Sequence, residues 1–334
     1  MRALPREFEP YAWAPSTAAI AELAGIRPEQ VMRFDGNTPP AGRARVEQVA
    51  DAVAAVHKYP HGGYPRIHEE IADYAGVGPE NVALGAGADD LLMLCARAFA
   101  GPGDLVEVRN EPVYPVIRTS VHLAGADVGT ENPVATFVCR PHNPSGALVE
   151  LPDARPLVVD EAYFEYAGGE TAATLIGDGV VVIRTFSKAF ALAGARIGYV
   201  LADEETAREL RTRQSPAPVS TLSVALALAG LASPPDVGAT IGERERLAER
   251  LRSIGLAPLP SATNFVYVPV DDAAALAHAL LREGLAVRPS GGGIRITVNE
   301  PTADDVLVAT IDRLQTHPEL QDLQTTSMLY VFSL

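Results

Sequence analysis

The chain has 334 residues, of which 47% are hydrophobic and 21% charged. That balance excludes a mainly disordered polymer and allows one large or two moderate domains with a sizeable core. Lys and Arg number 27 against 42 Asp and Glu, a formal charge of −15, which argues against a nucleic-acid coat or an anionic membrane surface but not against an anionic small molecule held by a few arginines.

In chain order, NVALG (81–85) reads as a short strand and ADDLLMLCARAFA (88–100) as an amphipathic helix stopped by Gly101-Pro102-Gly103. DLVEV (104–108) is a strand, and VYPVIRTSVHLAG, opening near a proline, a helix. ATFVC (135–139), PLVVD (156–160) and VVVIR (180–184) are continuous apolar runs, expected for strands covered on both faces. RIGYVLA (196–202) is a further strand. Strands alternating with helices predict an α/β fold with a mostly parallel sheet.

After the Pro-rich join QSPAPVS (214–220) the character changes. TLSVALALAGLA and VGATIGERERLAERLRSIG read as helices, followed by NFVYVPV, the helix DDAAALAHALLREG, LAVRP, the strand GIRITV and the helix TADDVLVATIDRL. The pattern predicts a large domain over 30–213, a smaller one from 1–29 and 214–316, and an apolar-ended tail over 317–334. Cys95 and Cys139 both sit in apolar runs and support neither a disulfide framework nor a zinc site. They are expected as buried small hydrophobes of a cytoplasmic protein. Neither a secretory signal nor a membrane span is expected from the hydropathy pattern.

Three local motifs carry chemistry. His142-Asn143-Pro144-Ser145-Gly146 follows ATFVC directly and presents Asn143 at a strand's carboxyl end, the edge where open α/β sheets bind ligands; a plain structural turn explains the same residues. Val159-Asp160-Glu161-Ala162-Tyr163 places an acid after another apolar run. A buried carboxylate stays charged only opposite a cation or several donors, and a helix N-cap accounts for Asp160 as well as catalysis does. The third run covers 184–199, RTFSKAFALAGARIGY. Lysine is rare in this chain, and Lys188 lies between Phe186 and Phe190 rather than on a solvated face. Desolvation makes such an amine a nucleophile able to form a Schiff base, while Thr185, Ser187 and Arg196 offer donors and positive charge for a phosphate. GAGADD does not complete a dinucleotide fingerprint, because Asp90 stands where the third glycine of GxGxxG belongs.

Together these runs resemble the class I/II aminotransferases, fold-type I enzymes that depend on pyridoxal phosphate, and SKAFALAGARIGY is most similar to the histidinol-phosphate aminotransferase family. KYPHGGYPRIHEEIADYAGV, GAGADD, EPVY and IRITV extend the resemblance, in family order, over nearly the whole chain. It implies a large α/β domain with a mostly parallel sheet plus a smaller α/β domain. By the same resemblance Lys188, Asp160 and Tyr163 are catalytic: Lys188 holds pyridoxal 5'-phosphate through a Schiff base, Asp160 pairs with the ring nitrogen, and Tyr163 and Asn143 reach the ring oxygen. Tyr114 stacks on the ring face. The backbone of Ala88 and Asp89 holds the phosphate with Thr185, Ser187 and Arg196, and Tyr59 reaches it from the second subunit of a homodimer. Arg295 matches an arginine that captures a substrate carboxylate or phosphate, a strand arginine paired with an aspartate being the plain reading. Arg288, Tyr11 and Asn143 are further substrate candidates. His57, His61 and His68 read as surface or interface residues.

The implied reaction moves an amino group between an L-amino acid or amine, histidinol phosphate among them, and a 2-oxo acid such as 2-oxoglutarate. A threonine-phosphate decarboxylase-like enzyme or an aromatic amino acid aminotransferase shares every cofactor residue. Intact Lys188, Asp160 and Arg196 count against a non-catalytic cofactor-binding or regulatory protein, and no helix-turn-helix or basic region supports a DNA role. The chain departs from the family in three places. The stretches Tyr114 to Asn143 and Asn143 to Asp160 are short, as if a sheet-packed helix were missing or reduced in each. The usual NENP-type turn is Asn37-Thr38-Pro39-Pro40, and His142 stands where Asn is common.

Overall fold

The computed structural model describes residues 8, 10–40, 42, 46–60 and 63–316; His61 and the tail over 317–334 lie outside the described residues. The chain begins with α1 (Thr17–Ala24), β1 (Met32–Arg33), α2 (Ala50–Ala54) and α3 (Pro65–Ala75). It then alternates through β2 (Val82–Gly85), α4 (Ala88–Phe99), β3 (Leu105–Val108), α5 (Pro115–Ala124), β4 (Asp127–Val128), β5 (Ala135–Cys139), β6 (Leu157–Asp160), β7 (Val180–Thr185) and β8 (Gly198–Leu201). Two helices follow, α6 (Glu204–Arg213) and α7 (Thr221–Leu231). The last part holds α8 (Gly238–Ser253), β9 (Phe265–Pro269), α9 (Ala273–Arg282), β10 (Leu285–Ala286), β11 (Arg288–Ser290), β12 (Gly293–Thr297) and α10 (Pro301–Thr316). Local chemistry sets many of these starts. Pro65 and Pro115 open α3 and α5, where a missing amide costs no hydrogen bond, and Asp203, Ser220 and Asp272 accept from first-turn amides of α6, α7 and α9.

Among the described residues the chain falls into two compact units, one formed by those of 42–143 and 148–236, the other by 10–40, 144–147 and 237–316. The first is built on a seven-stranded sheet of order β2-β8-β7-β6-β5-β3-β4. Its pairs from β4 through β7 are parallel, and β8 runs antiparallel to both its neighbours. The continuous apolar character of β7 follows from burial on both faces. Val181 and Ile183 pack with Leu91, Leu92, Ile117 and Leu210 of α4, α5 and α6, whereas Val180 and Val182 meet Ile67 and Ile71 of α3 and Ala227 and Leu231 of α7. Each such side chain contributes about 1.5–3 kcal/mol when fully buried.

The short stretch after Tyr114 retains a helix, the ten-residue α5. The stretch from Asn143 to Asp160 has none. The β6–β7 connection, too, carries only 3-10 turns, at Phe164–Tyr166 and Ala173–Asp178. Val149, Leu151, Leu175 and Ile176 of these irregular segments pack on the sheet face that α3 and α7 share. Extended chain thus does there what a crossover helix does elsewhere.

The second unit holds the antiparallel sheet β11-β12-β9 and the short parallel pair β1-β10, packed with α8, α9 and α10. Its bounds differ from the expected limits at both joins. Residues 30–40 belong to it, because β1 pairs with β10 and Phe34 is buried in its core. Residues 214–236 belong to the first unit, because α7 buries Ala227 and Leu231 against that unit's sheet. The Pro-rich join is therefore a loop inside the first unit.

Candidate active site

The carboxyl ends of β5, β6 and β7 lie side by side, and strand register sets Cys139, Asp160 and Ile183 level. Asp160 ends β6 and is buried. Its Oδ1 accepts from the Ala162 amide (3.1 Å) and its Oδ2 from the Cys139 thiol (3.7 Å). Burial pushes its pKa up to about 6, opposed by the Ala162 amide and the Lys188 charge and reinforced by Asp89. The segment after it is a 3-10 turn with Tyr163 at the N-cap, so Asp160 caps no α-helix.

Lys188 lies in the reversal between β7 and the antiparallel β8, its Nζ 5.6 Å from the centre of the Tyr163 ring. The Tyr163 hydroxyl accepts from Asn143 Nδ2 (3.3 Å). Phe186 and Phe190, on either side of the lysine in sequence, are buried in the core shared with α3 and α7, with ring centroids 4.8 Å apart. They anchor the loop. Thr185 Oγ1 donates to Ser187 Oγ (2.9 Å) and accepts from the Ser187 amide (3.1 Å), which holds both hydroxyls at the end of β7.

Arg196, Asp89 and Tyr114 form a chain. Arg196 Nη2 donates to Asp89 Oδ2 (3.1 Å) and the Tyr114 hydroxyl to Asp89 Oδ1 (3.0 Å). Ala88 and Asp89 begin α4, whose N-cap is Gly87 at φ +90°. A Cβ at Gly87 would lie 2.8 Å from the Arg196 guanidinium, and one at Gly198 would lie 2.7 Å from the Arg184 carbonyl and 3.3 Å from the Ala88 amide. Both positions therefore need glycine, and together they keep the first-turn amides of α4 open toward the strand ends.

The structure thus brings Ala88, Asp89, Tyr114, Asn143, Asp160, Tyr163, Thr185, Ser187, Lys188 and Arg196 to one edge of the first unit. Tyr59 follows α2 in the same unit and is 84% exposed. Tyr11, Arg288 and Arg295 belong to the second unit. There Arg295 Nη2 donates to the Asp35 main-chain carbonyl (2.8 Å), while the Asp35 carboxylate is taken by Arg33. Arg288 donates to the Ala12 carbonyl (2.9 Å) and stands 5.9 Å over the Tyr11 ring. Of the histidines read as surface residues, His57 is exposed, but His68 is half-buried on α3, its Nδ1 3.0 Å from the Tyr64 carbonyl oxygen.

Sequence reasoning missed the network behind the site. Arg184 Nε donates to Glu161 Oε2 (3.0 Å), and both side chains are buried. The only trace in the sequence is that each is a charged residue at the end of an apolar run.

A half-buried lysine beside a buried carboxylate, with a helix N-terminus, two hydroxyls and an arginine at the same sheet edge, defines an α/β enzyme built to hold a phosphorylated carbonyl compound. The chain belongs to the aminotransferase class I and II family, whose model matches residues 29–132 and 129–311. It is 33% identical to a histidinol-phosphate aminotransferase from Thermoanaerobacter pseudethanolicus, over 78% of this chain and 85% of that one. It is also 33% identical to an aromatic amino acid aminotransferase from Rhodococcus jostii, over 79% and 84%. The structure of a histidinol-phosphate aminotransferase from Sinorhizobium meliloti, solved with pyridoxal-5'-phosphate, superposes with a TM-score of 0.80 at 27% identity, covering 93% of this chain and 96% of that one.

Proposed function

We propose that this protein is a pyridoxal 5'-phosphate-dependent aminotransferase that takes an amino donor bearing an anionic group, histidinol phosphate first among the candidates, with a 2-oxo acid as acceptor. The observation that carries the activity is Lys188 placed with Asp160, Tyr163 and Asn143 at one sheet edge. The cofactor fits the donor set: the amides of Ala88 and Asp89, the Thr185 and Ser187 hydroxyls and Arg196 would bind its phosphate, in the space kept by Gly87 and Gly198. Bound there, it supplies an electron sink for the charge left when the substrate's α-proton departs. Asp160 would hold a proton on the ring nitrogen. Asn143 and Tyr163 would orient the ring through its oxygen, and Tyr114 would cover its face. Lys188 Nζ would tether the cofactor and then move the proton at the substrate α-carbon.

An anionic donor is supported by β11 and β12, where Arg288 and Arg295 are direct cross-strand partners. Cross-strand partners share a face of the sheet, so the two guanidinium groups are offered together to one anionic group. An aromatic amino acid is the second reading, favoured by the edge-to-face Tyr11–Trp13 pair (5.3 Å between centroids) and by a cavity of about 170 Å³ lined by Trp13, Leu281, Val287 and Arg288. A homodimer is supported by exposed Val53, Val56 and Tyr59 on and after α2, and a monomer in sedimentation at assay concentration would count against it. A cytoplasmic site is supported by the two free, buried cysteines, and a disulfide in the protein as isolated from cells would count against that. Among the described residues no helix is long and apolar enough to cross a membrane.

A panel of amino donors, followed by the visible spectrum of the loaded enzyme, tests the reading. Hydrogen bonds to charged groups contribute about 1.5–3 kcal/mol each, so Arg295→Ala should raise KM for anionic donors about tenfold to hundredfold and leave a neutral amine nearly unaffected. Equal losses for both classes would refute the anionic substrate. No spectral response to any donor would refute the activity.

A further inference from the structure

The turns that follow β3 and β5 are neighbours, because these strands pair in parallel with Val108 opposite Phe137. The Arg109 amide still bonds the Phe137 carbonyl (2.9 Å), and beyond that point residues 109–112 run exposed to Tyr114, the N-cap of α5. Into this turn projects His142, one residue ahead of Asn143 and only 6% exposed. Its Nε2 lies 2.8 Å from the Asn110 carbonyl oxygen, and the Pro112 carbonyl also meets the ring. A carbonyl only accepts, so Nε2 carries the proton of the first bond. Asn110 itself sits in the left-handed region at φ 60°, a conformation that asparagine takes more readily than other residues with a side chain.

We infer that His142 is a positioning residue: it clamps the Asn110–Pro112 turn to the end of β5 and thereby sets the Tyr114 ring relative to Asn143 and Asp89. The inference rests on the role proposed above for Tyr114 against the cofactor ring. Nothing in His142 itself touches the reacting atoms. Its effect passes through the short turn, since Tyr114 stands two residues after Pro112 and ends in the bond to Asp89 Oδ1 (3.0 Å). Without the imidazole the Asn110 carbonyl loses its donor, and beyond Arg109 the turn is held only by the Glu111–Arg118 pair, by buried Val113 and by the Tyr114–Asp89 bond, so the Tyr114 ring is seated less firmly.

The test uses full-length protein with pyridoxal phosphate as the probe, its dissociation constant read by equilibrium dialysis and its seating by visible circular dichroism, which follows the asymmetry of the groups packed on the ring. His142→Ala should weaken cofactor binding about fivefold to tenfold, the loss of one buried hydrogen bond, and shrink the visible dichroism. His142→Gln, which restores a donor, should recover most of both. In a Tyr114→Ala background His142→Ala should cost nothing more, because the two changes act on one interaction. Should His142→Ala fail to fold, His142→Phe, which keeps volume and deletes the donor, carries the same cycle. Unchanged binding and dichroism in the folded variant, or losses that add in the double variant, would overturn the inference while leaving the proposed function standing. Wild-type protein that binds no pyridoxal phosphate would overturn both.

Discussion

Glu161→Gln probes the brace behind the site. Glu161 and Arg184 are 1% and 2% exposed, and every side-chain oxygen of Glu161 is engaged. Oε2 accepts from Arg184 Nε (3.0 Å) and from the Thr171 hydroxyl (2.8 Å), and Oε1 accepts from the Ala172 amide (2.6 Å). Arg184 Nη2 also donates to Thr171 (2.7 Å), and its guanidinium lies 3.6 Å over the Phe164 ring. A glutamine of the same shape must turn its NH₂ either to the Ala172 amide or to Arg184 and Thr171, donor against donor in both cases, and leaves the guanidinium with only Glu165 as a countercharge, a carboxyl that burial raises to about 7. Removing one partner of a buried ion pair costs about 3–5 kcal/mol. A body of this size loses about 2–4 °C per kcal/mol, so Tm should fall by roughly 6–20 °C. Thermal unfolding of the cofactor-free protein by far-ultraviolet circular dichroism measures it. Turnover should fall with it, since Glu161 adjoins Asp160 and Arg184 adjoins Thr185. A variant within about 0.5 kcal/mol of wild type would mean that water reaches the pair, and the brace would be no brace.

Further outcomes follow from the same geometry. Lys188→Ala should abolish turnover with the fold intact, and borohydride reduction of the loaded wild type should label Lys188; a label on another lysine refutes the assignment. Asp160→Asn should slow proton transfer more than it weakens binding, yet stabilise the cofactor-free protein. The carboxyl is raised to about 6 by burial, so its contribution is fully present below about pH 4 and is lost as pH rises through 6, about 2–3 kcal/mol at most. Urea unfolding at pH 5 and pH 8 checks this, and a variant no more stable than wild type at pH 8 contradicts it. In the second unit, burial and the neighbouring Glu243 raise the Asp304 carboxyl well above the usual range. Stability should therefore decline as pH rises beyond that range, and Asp304→Asn should flatten the decline; an unchanged pH profile in the variant would show that Asp304 is solvated.

The central strands were legible because burial on both faces demands continuous apolar runs, and ATFVC, PLVVD and VVVIR have no other reading. The destination of α7 was not. TLSVALALAGL is apolar almost all round, so it shows no stripe to say which core it joins, and the prolines before it look like a boundary. β1 spans two residues, too few for any periodicity, and its pairing with β10 exists only once residues some 250 positions apart are folded together. The reading of Asp160 as cap or ligand holder stayed open in the sequence because both need an acid after a strand. The 3-10 turn at Phe164–Tyr166 leaves no α-helix there for Asp160 to cap.

The doublets at the strand ends hold the remaining lesson. Adjacent residues of an extended chain point to opposite sides, so Asp160 and Glu161 cannot do the same thing, nor can Arg184 and Thr185. In each doublet one residue turns into the brace, as Glu161 and Arg184 do to each other, while its neighbour lies on the other side, where Thr185 bonds Ser187 beside Lys188. In the turn after β5, His142 and Asn143 likewise part company, the first bound to Asn110 and the second to Tyr163. A motif read as one functional string is therefore two interleaved sets. The spacing reveals the set proposed above to do chemistry. The set that holds it becomes visible only through strand register, which sets Cys139 opposite Asp160 and Asp160 opposite Ile183 and so brings Glu161 to the side chain of Arg184.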